Sequence, residues 1–282
     1  NGQAYPFLTP FMILVSIFYI VPAILTIAMS LTDLDSSFVW EWNNFNNYRK
    51  ILLDPNTAQI VFNTVVFVGC AIAITILLDL VIAVLVTYFI KNESISSFFK
   101  SLIMIPMITP AVVYSVLWIW LLDASENGVI NQLYMGITGS DLPLNWIAKY
   151  PMQIVVMATV LTSLGFGAIN FSSAIKSISE EQFKAARIDG AGEWEIVTGI
   201  ILPNIRYHIQ FIAPGLLTNY VTIMLITDGG PSMKTEVWAL SAYHKAFTNQ
   251  QYGYGAAISM VLILVVMILM LLLNKVMSRR DA

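Results

Sequence analysis

Six long apolar stretches constrain this chain more strongly than any other feature of its sequence. A hydrocarbon core of about 30 Å is crossed by about 20 apolar residues in a helix. Backbone groups in lipid must find hydrogen bonds within the chain, and barrel strands would show shorter segments of alternating residues. We therefore predict an all-α membrane protein, a single domain of six transmembrane helices at about 7–31, 60–90, 103–122, 152–175, 209–227 and 256–273.

The scarcity of charge excludes most soluble classes of protein. Of the 282 residues, 57% are hydrophobic and 11% are charged, whereas a soluble domain has about 25% charged residues. A formal net charge of -3 does not suit a broad nucleic-acid-binding surface, so we expect no nucleic acid partner. One cysteine, Cys70, and two distant histidines, His208 and His244, offer no internal disulfide and no evident metal centre.

Lysine and arginine are distributed unevenly among the segments that connect the stretches. Nine of the 14 lie in segments 91–101, 176–207 and 274–282, and the other five lie in the alternate segments. Cytoplasmic loops of membrane proteins carry the excess of Lys and Arg. We therefore expect both termini, and the segment 176–207, to be cytoplasmic.

Proline and glycine interrupt three consecutive stretches. Broken helices at membrane depth are tolerated where they face protein or a water-filled cavity, although small residues also serve plain helix packing. Breaks in three consecutive helices favour a transport pathway. The interrupting residues are Pro106 and Pro110 in the third stretch, Gly165 and Gly167 in the fourth, and Pro214 and Gly215 in the fifth.

Few polar side chains lie inside the stretches. Asp79 is the only acidic residue well inside one, and no intramembrane Lys or Arg is evident as its partner. A proton relay, a protonated carboxyl group and a position near the inner end of an overlong helix all remain open. The others are uncharged, which suits a neutral hydroxylated ligand better than an ion, although helix-to-helix hydrogen bonds explain them equally well. They are Asn63, Thr64, Thr162, Ser163, Asn170, Thr218, Asn219, Tyr220 and Thr222.

Two short helices are predicted in the segment between the fourth and fifth stretches, which reads KSISEEQFKAARIDGAGEWEIVTGIILPNIR. Ser179 is placed to cap a helix with acidic residues in its first turn, and Gly190 is placed to end it. A second helix is predicted over 192–201, stopped before Pro203. Two short helices joined by a glycine bend would form a lever for a soluble partner.

The spacing within that segment resembles the EAA loop of ABC importer permeases. That pattern reads Glu-Ala-Ala, three residues, Gly, nine residues, Ile, one residue, Leu-Pro, and every spacing is present here. The motif's Glu is replaced by Lys184, and the phrase AARIDGAG is similar to the branch related to the maltose permease. The resemblance implies that the loop, residues 179–203, couples to an ATPase through Glu181, Lys184, Ala185, Ala186, Asp189, Gly190, Ala191, Gly192, Ile200, Leu202 and Pro203.

Three further stretches resemble the same branch in the same order. They are FNNYRKIL at 45–52, IPMITPAVVYSVLWIWLLD at 105–123 and TDGGPSMKTEVWALSAYHKAF at 227–247. The resemblance therefore covers nearly the whole chain, and it implies the type I ABC importer transmembrane fold in a bacterial plasma (inner) membrane. It implies a carbohydrate importer, but glycosaminoglycan, plant oligosaccharide and glycerol-phosphate importers share these signatures.

The resemblance also implies a substrate path through the third to fifth helices. Asn219 falls where the maltose permease has a sugar-binding Asn. Other matching positions carry less polar residues than that permease, which implies a less polar cavity. The implied path residues are Met107, Ala111, Thr162, Leu164, Gly165, Leu216, Asn219 and Tyr220.

The chain contains no ATP-binding G-x-x-x-x-G-K-[ST] loop, so we expect no catalytic residues and no cofactor in this chain. ATP and Mg would be bound by two partner ATPase subunits. The other expected partners are a second homologous permease chain forming a heterodimer, an extracytoplasmic solute-binding protein, a carbohydrate and the lipid bilayer. The alternatives are a permease for glycerol-phosphate or another polar solute, and a stand-alone secondary transporter, for which we see no internal repeat and little buried charge. Signatures of a membrane-embedded enzyme, such as HExxH and GxSxG, are absent from the sequence.

Overall fold

The computed structural model describes residues 5–206, 209 and 212–278, and in this part of the chain the regular structure is helical. The helices are α1 (Tyr5–Val15), α2 (Val21–Ser30), α3 (Asn46–Leu53), α4 (Thr57–Val84), α5 (Glu93–Ile108), α6 (Ala111–Leu121), α7 (Val129–Thr138), α8 (Trp146–Lys149), α9 (Pro151–Ser163), α10 (Phe166–Ser177), α11 (Glu180–Ile188), α12 (Glu193–Ile196), α13 (Leu202–Ile205), α14 (Ala213–Leu217), α15 (Val221–Ile226), α16 (Trp238–Tyr243) and α17 (Tyr252–Ser278). Wider π-helical turns follow α1, α4, α12 and α16, at Ser16–Ile20, Leu85–Phe89, Val197–Ile201 and His244–Thr248.

Three of the helical segments are long and apolar enough to cross a membrane unbroken. They are Leu8–Ser30, Thr57–Phe89 and Tyr252–Lys275. Two further spans are bent pairs, α5 with α6 at 90° and α9 with α10 at 43°, and a shorter apolar segment covers Pro214–Ile226. By length and composition the described residues thus contain three unbroken candidate spans, or five when each bent pair is one span. The predicted stretch 209–227 corresponds to the shorter segment Pro214–Ile226, and residues 210 and 211 of that stretch lie outside the described residues.

The breaks do not all fall where the sequence placed them. Pro106 lies inside α5, and the chain turns at Thr109 and Pro110 instead. Thr109 is extended because the ring of a following proline disfavours the helical conformation in the residue before it. Pro214 likewise lies in the first turn of α14, where its missing N–H costs nothing, and the unwound residues are 218–220.

The chain divides into two compact units, residues 1–61 with 238–267 and residues 62–237 with 268–282. In the first unit, Ile51, Ala242, Ala257 and Ile258 form a buried apolar cluster. The indole N–H of Trp238 donates to the backbone oxygen of Ile258 over 2.8 Å beside that cluster. This packing joins two segments of the first unit that are distant in sequence.

The second unit holds the broken helices. α15 packs against α6 and α9, α5 packs against α9, and α10 packs against α5, α13 and the π-helical turn Leu85–Phe89. Asn63 lies near the start of the second unit. Its side-chain amide donates to the backbone oxygens of Met233 over 2.7 Å and of Glu236 over 3.0 Å. The second unit contains both the candidate coupling loop and the predicted substrate-path residues.

Candidate coupling loop and substrate path

A sharp bend at Gly190 separates the two helices of the candidate coupling loop, residues 179–203. Gly190 has φ +86°, a left-handed conformation that glycine adopts without the steric cost of a side chain. The backbone N–H of Gly190 donates to the oxygen of Arg187 over 3.2 Å, and that of Ala191 to Ala186 over 2.9 Å. This pair of bonds satisfies the terminal carbonyls of α11 and fixes the bend.

The helix starts differ in detail from the prediction. Ser179 precedes α11, but its side chain makes no capping hydrogen bond, so that part of the prediction is wrong. Glu180 and Glu181 still place negative charge at the positive end of α11. At the start of α12, the Glu195 carboxylate accepts a hydrogen bond from the backbone N–H of Gly192 over 2.8 Å.

Pro203 does not stop the second helix, contrary to the sequence expectation. Helical backbone continues from α12 through the turn Val197–Ile201 into α13, which contains Pro203. In the π-helical turn, Leu202 donates to the oxygen of Val197, five residues back. Because this wider turn has already replaced the ordinary bonding pattern, a proline in the next turn breaks little further hydrogen bonding.

Tyr88 anchors the candidate coupling loop to the end of α4. Its ring is buried, and its centroid lies 5.6 Å from that of Phe183 on α11. Its hydroxyl accepts a hydrogen bond from Arg187 Nη2 over 3.2 Å and donates one to Glu193. Arg187 and Glu193 form an ion pair at 3.9 Å. One side chain thus contacts both helices that flank the bend. The sequence analysis did not identify Tyr88 as a functional residue. The signal that could have indicated it is the aromatic pair Tyr88 and Phe89 at the end of an unusually long apolar stretch.

Two large apolar side chains are exposed beside the bend. Ile188 is 85% exposed and Trp194 is 76% exposed, one on each side of Gly190. Both lie in a polar segment outside the apolar spans, where exposed large apolar side chains mark interaction surfaces. Sequence analysis did not single them out, although both stand within five residues of the glycine.

The predicted coupling residues are mostly accessible. Lys184 pairs with Glu180 over 3.1 Å, one turn earlier on α11, with both side chains largely exposed. Such an exposed pair contributes little to stability, and it places a paired positive charge at the position of the motif's Glu. Exposed members of the predicted set are Glu181, Lys184, Ala185, Asp189, Gly190, Gly192 and Pro203, and half-buried ones are Ala186, Ala191, Ile200 and Leu202.

The eight predicted substrate-path residues lie at, or within one turn of, three helix breaks. They are Met107 and Ala111 at the first break, Thr162, Leu164 and Gly165 at the second, and Leu216, Asn219 and Tyr220 at the third.

The helices that carry these breaks pack together. A β-carbon added to Gly165, which has φ +107°, would lie 3.0 Å from the backbone oxygen of Ile103. The second break therefore approaches α5 closely, and its positive φ also favours glycine over a residue with a side chain. Non-helical backbone at membrane depth is tolerated where it is enclosed by protein or lines a cavity, and this arrangement meets that condition.

The path residues differ in how available their polar groups are. The Thr162 hydroxyl is within bonding distance of the backbone oxygens of Ala158 and Thr159 in its own helix. Leu216 is buried. Asn219 is half-buried in the unwound segment, and within the described residues its side-chain amide has no hydrogen-bond partner. Asn219 is therefore the predicted path residue best placed to hydrogen-bond a ligand.

Asp79 belongs to α4, and its carboxylate lies beside the N-terminus of another helix, α10. It is fully buried, and a β-carbon on Gly167 would overlap its carboxylate. The backbone groups of Gly165 and Ala168, around the N-terminus of α10, face the carboxylate. No contact with either oxygen meets ordinary hydrogen-bond limits within the described residues. The sequence suggested no Lys or Arg partner for Asp79. The positive end of the α10 dipole stabilises the negative charge of its carboxylate instead.

Comparisons with known proteins agree with this architecture. The fold is that of a bacterial alginate ABC transporter chain solved in complex with an alginate pentasaccharide-bound periplasmic protein, at a TM-score of 0.79 and 21% identity, covering 99% of this chain and 95% of that one. The arrangement defines a type I ABC importer transmembrane component. The sequence matches the family described as binding-protein-dependent transport system inner membrane component across residues 79–280, and the chain belongs to that family.

Two relatives that are named as permease proteins match most of this chain. A probable ABC transporter permease protein of Pyrococcus horikoshii is 28% identical over 90% of this chain and 88% of its own length. The diacetylchitobiose uptake system permease protein NgcF of Streptomyces coelicolor is 27% identical over 87% of this chain and 73% of its own length. The chain is therefore the multi-pass permease component of an ABC importer, and the recognition made from the EAA-like spacing is confirmed.

Proposed function

We propose that the chain is one half of a permease pair in an ATP-driven, binding-protein-dependent carbohydrate importer. The observation that carries this proposal is the bend at Gly190, held on its inner side by Tyr88 and bearing exposed Ile188 and Trp194 on its outer side. A surface attached in this way to a membrane helix can transmit a partner's motion into the membrane. The partner would be a pair of ATPase subunits, which would bind the ATP and Mg.

Closure of the ATPase dimer would move the candidate coupling loop of this chain and that of a second, homologous permease chain. The helices would then turn toward an outward-facing cavity, and hydrolysis would restore the inward-facing state, so that partner binding shifts a two-state equilibrium. Both termini and the loop would lie in the cytoplasm of a bacterial cell. An extracytoplasmic solute-binding protein would deliver the substrate to the opposite face.

A carbohydrate suits the polar groups at the helix breaks. Thr162, Asn219 and Tyr220 are uncharged donors and acceptors, and Asn219 has an uncommitted amide. Neutral hydroxyl groups are recognised by such side chains without the cost of burying an ion. The names of the NgcF and alginate transporter proteins support a saccharide substrate, and glycerol-phosphate or another polar solute is the competing assignment.

The proposal is tested by purifying the tagged chain from its native membrane. We expect it to bring with it a second permease chain and an ATPase, whose hydrolysis is stimulated by one member of a saccharide panel in the presence of the binding protein. Stimulation only by glycerol phosphate would overturn the carbohydrate assignment. Transport by the chain alone, without ATP, would overturn the whole proposal.

The docking surface is tested by the double variant Ile188→Ser with Trp194→Ser. We expect it to enter the membrane normally and to lose most of the co-purifying ATPase. Ile137→Ser is the matched control, because Ile137 is 84% exposed on α7, outside the candidate coupling loop. Full retention of the ATPase by the double variant would contradict the role of these two side chains.

A further inference from the structure

A basic cavity lies behind the candidate coupling loop, between α11 and the ends of the membrane helices. Its volume is about 380 Å³, within the range of small-molecule sites. Four cationic side chains line it, from three separate segments, and Glu180 is the one acidic side chain among the described lining residues. The cations are Lys91, Lys176, Lys184 and Arg187.

Two of the four charges are already compensated. Lys184 pairs with Glu180 over 3.1 Å, and Arg187 pairs with Glu193 at 3.9 Å. Lys91 donates only to the backbone oxygen of Tyr88, over 2.6 Å, and its Nζ lies 4.7 Å from the centre of that ring. The cavity therefore retains more positive charge than its own acidic groups balance.

Lys176 adds to this excess. It is exposed in the last turn of α10, and it has no acidic partner within the described residues. It interacts instead with a further cation, Lys100 on α5. Like charges gathered without a counter-charge are unfavourable, so an anion bound among them is stabilised by several cations together.

One face of α11 lines the cavity. Glu180, Phe183, Lys184 and Arg187 recur at the spacing of one helix face, and this face turns toward the membrane helices. Ile188 and Trp194, the two side chains of the proposed ATPase surface, are not among the residues that line the cavity.

From this geometry we infer that the cavity, called here the basic pocket and defined by Lys91, Lys176, Lys184 and Arg187, binds a phosphate-bearing ligand. Lys and Arg are the usual phosphate-binding side chains. Lys91 and Lys176 stand at the ends of apolar helical segments, at the level where lipid headgroups lie, and basic pockets there bind anionic headgroups. The same chemistry suits a soluble phosphate ester.

A bound phosphate would join α11 to the ends of α4 and α10. Lys184 and Arg187 belong to α11, while Lys91 and Lys176 belong to the membrane-helix ends, so one ligand would bridge the two groups. Its effect on coupling rests on the proposed function, but binding itself does not. The ligand would make the candidate coupling loop more rigid when occupied.

The test uses the full chain, with the subunits that co-purify, in phosphatidylcholine nanodiscs. Phosphatidylglycerol binding is titrated by native mass spectrometry, and binding of glucose 6-phosphate is measured by calorimetry. The variant is Lys91→Gln with Lys176→Gln, which leaves the ion pairs of Lys184 with Glu180 and of Arg187 with Glu193 in place. The matched control is Lys149→Gln with Lys234→Gln, two lysines outside the basic pocket.

We expect one of the two probes to bind the wild type and the control equally, and the pocket variant about tenfold more weakly or worse. Selective phosphatidylglycerol binding identifies a lipid headgroup, and selective glucose 6-phosphate binding identifies a soluble ester. Equal binding to wild type and pocket variant, an equal loss in the control, or binding of neither probe overturns the inference. If the basic pocket binds a probe selectively but the complex shows no ATP-driven import, the proposed function is refuted and the inference about phosphate binding is not.

Discussion

The guanidinium group of Arg187 donates a hydrogen bond to the phenolic oxygen of Tyr88 over 3.2 Å, linking the candidate coupling helix to the last turn of a membrane helix. The same oxygen donates to Glu193, beyond the glycine bend. Because both flanks of the bend are attached to one buried ring, a displacement of the loop must also displace the end of the segment Thr57–Phe89.

Removing the Tyr88 hydroxyl should loosen the loop without unfolding the protein. Tyr88→Phe keeps the ring contact with Phe183 and loses both hydrogen bonds, at a net cost of about 0.5–1.5 kcal/mol for each bond. We expect a slightly lower melting temperature and more ATP hydrolysed per substrate molecule imported. Tyr134→Phe is the control, since the Tyr134 hydroxyl makes no hydrogen bond within the described residues. Unchanged stoichiometry in Tyr88→Phe would show that the linkage carries no motion.

The activity of variants at Gly190 should depend on how readily the new residue adopts a left-handed backbone conformation. Among the described residues, no neighbouring atom lies within 4 Å of an added β-carbon there, so the cost of a side chain is conformational. A β-branched residue in this region is strained by about 1–2 kcal/mol or more, whereas Asn adopts it readily. We expect Gly190→Val to reduce substrate-stimulated ATP hydrolysis and uptake with normal membrane insertion, and Gly190→Asn to remain close to wild type. Equal activity of the two variants would exclude a role for the bend.

A methyl group at Gly167 should disrupt the site of Asp79. The added β-carbon would overlap the buried carboxylate, and such overpacking costs about 1–3 kcal/mol. We expect Gly167→Ala to lower the melting temperature of the purified protein. Adding Asp79→Ala should make the combined loss smaller than the sum of the two single losses, because the clash disappears.

Gly136→Ala provides the control for this pair. Gly136 lies in α7, and no other atom approaches its added β-carbon within 4 Å. We expect this variant to melt at or slightly above the wild-type temperature, since alanine favours a helix over glycine. Additive losses for Gly167→Ala and Asp79→Ala would mean that the two residues do not share a site.

Asn219→Leu should slow translocation while leaving assembly intact. The Asn219 amide lies in the unwound segment between α14 and α15 and has no hydrogen-bond partner among the described residues. Loss of one ligand hydrogen bond should reduce uptake about two- to tenfold, measured with the purified complex in liposomes. Asn249→Leu makes the same chemical change at an exposed loop position. Wild-type uptake by Asn219→Leu would remove this residue from the path.

Many features of this structure are determined by residues close together in sequence, and these features could be predicted from the sequence. Apolar length predicted the spans, because a helix in lipid needs little beyond its own hydrogen bonds and about 20 apolar side chains. The Gly190 bend was predictable for a similar reason, since its φ is a property of one residue and its near neighbours. The EAA-like spacing correctly identified the family.

The tertiary structure decided the features that depend on residues distant in sequence. Tyr88 lies about a hundred residues before Glu193, so no local pattern could indicate that they share a hydrogen bond. The position of Asp79 at the N-terminus of α10, and the convergence of Lys91 with Lys176 and Lys184, likewise exist only once the helices have packed. Hydropathy and spacing report on each segment separately, whereas a buried charge or a basic pocket is created by the contact between segments.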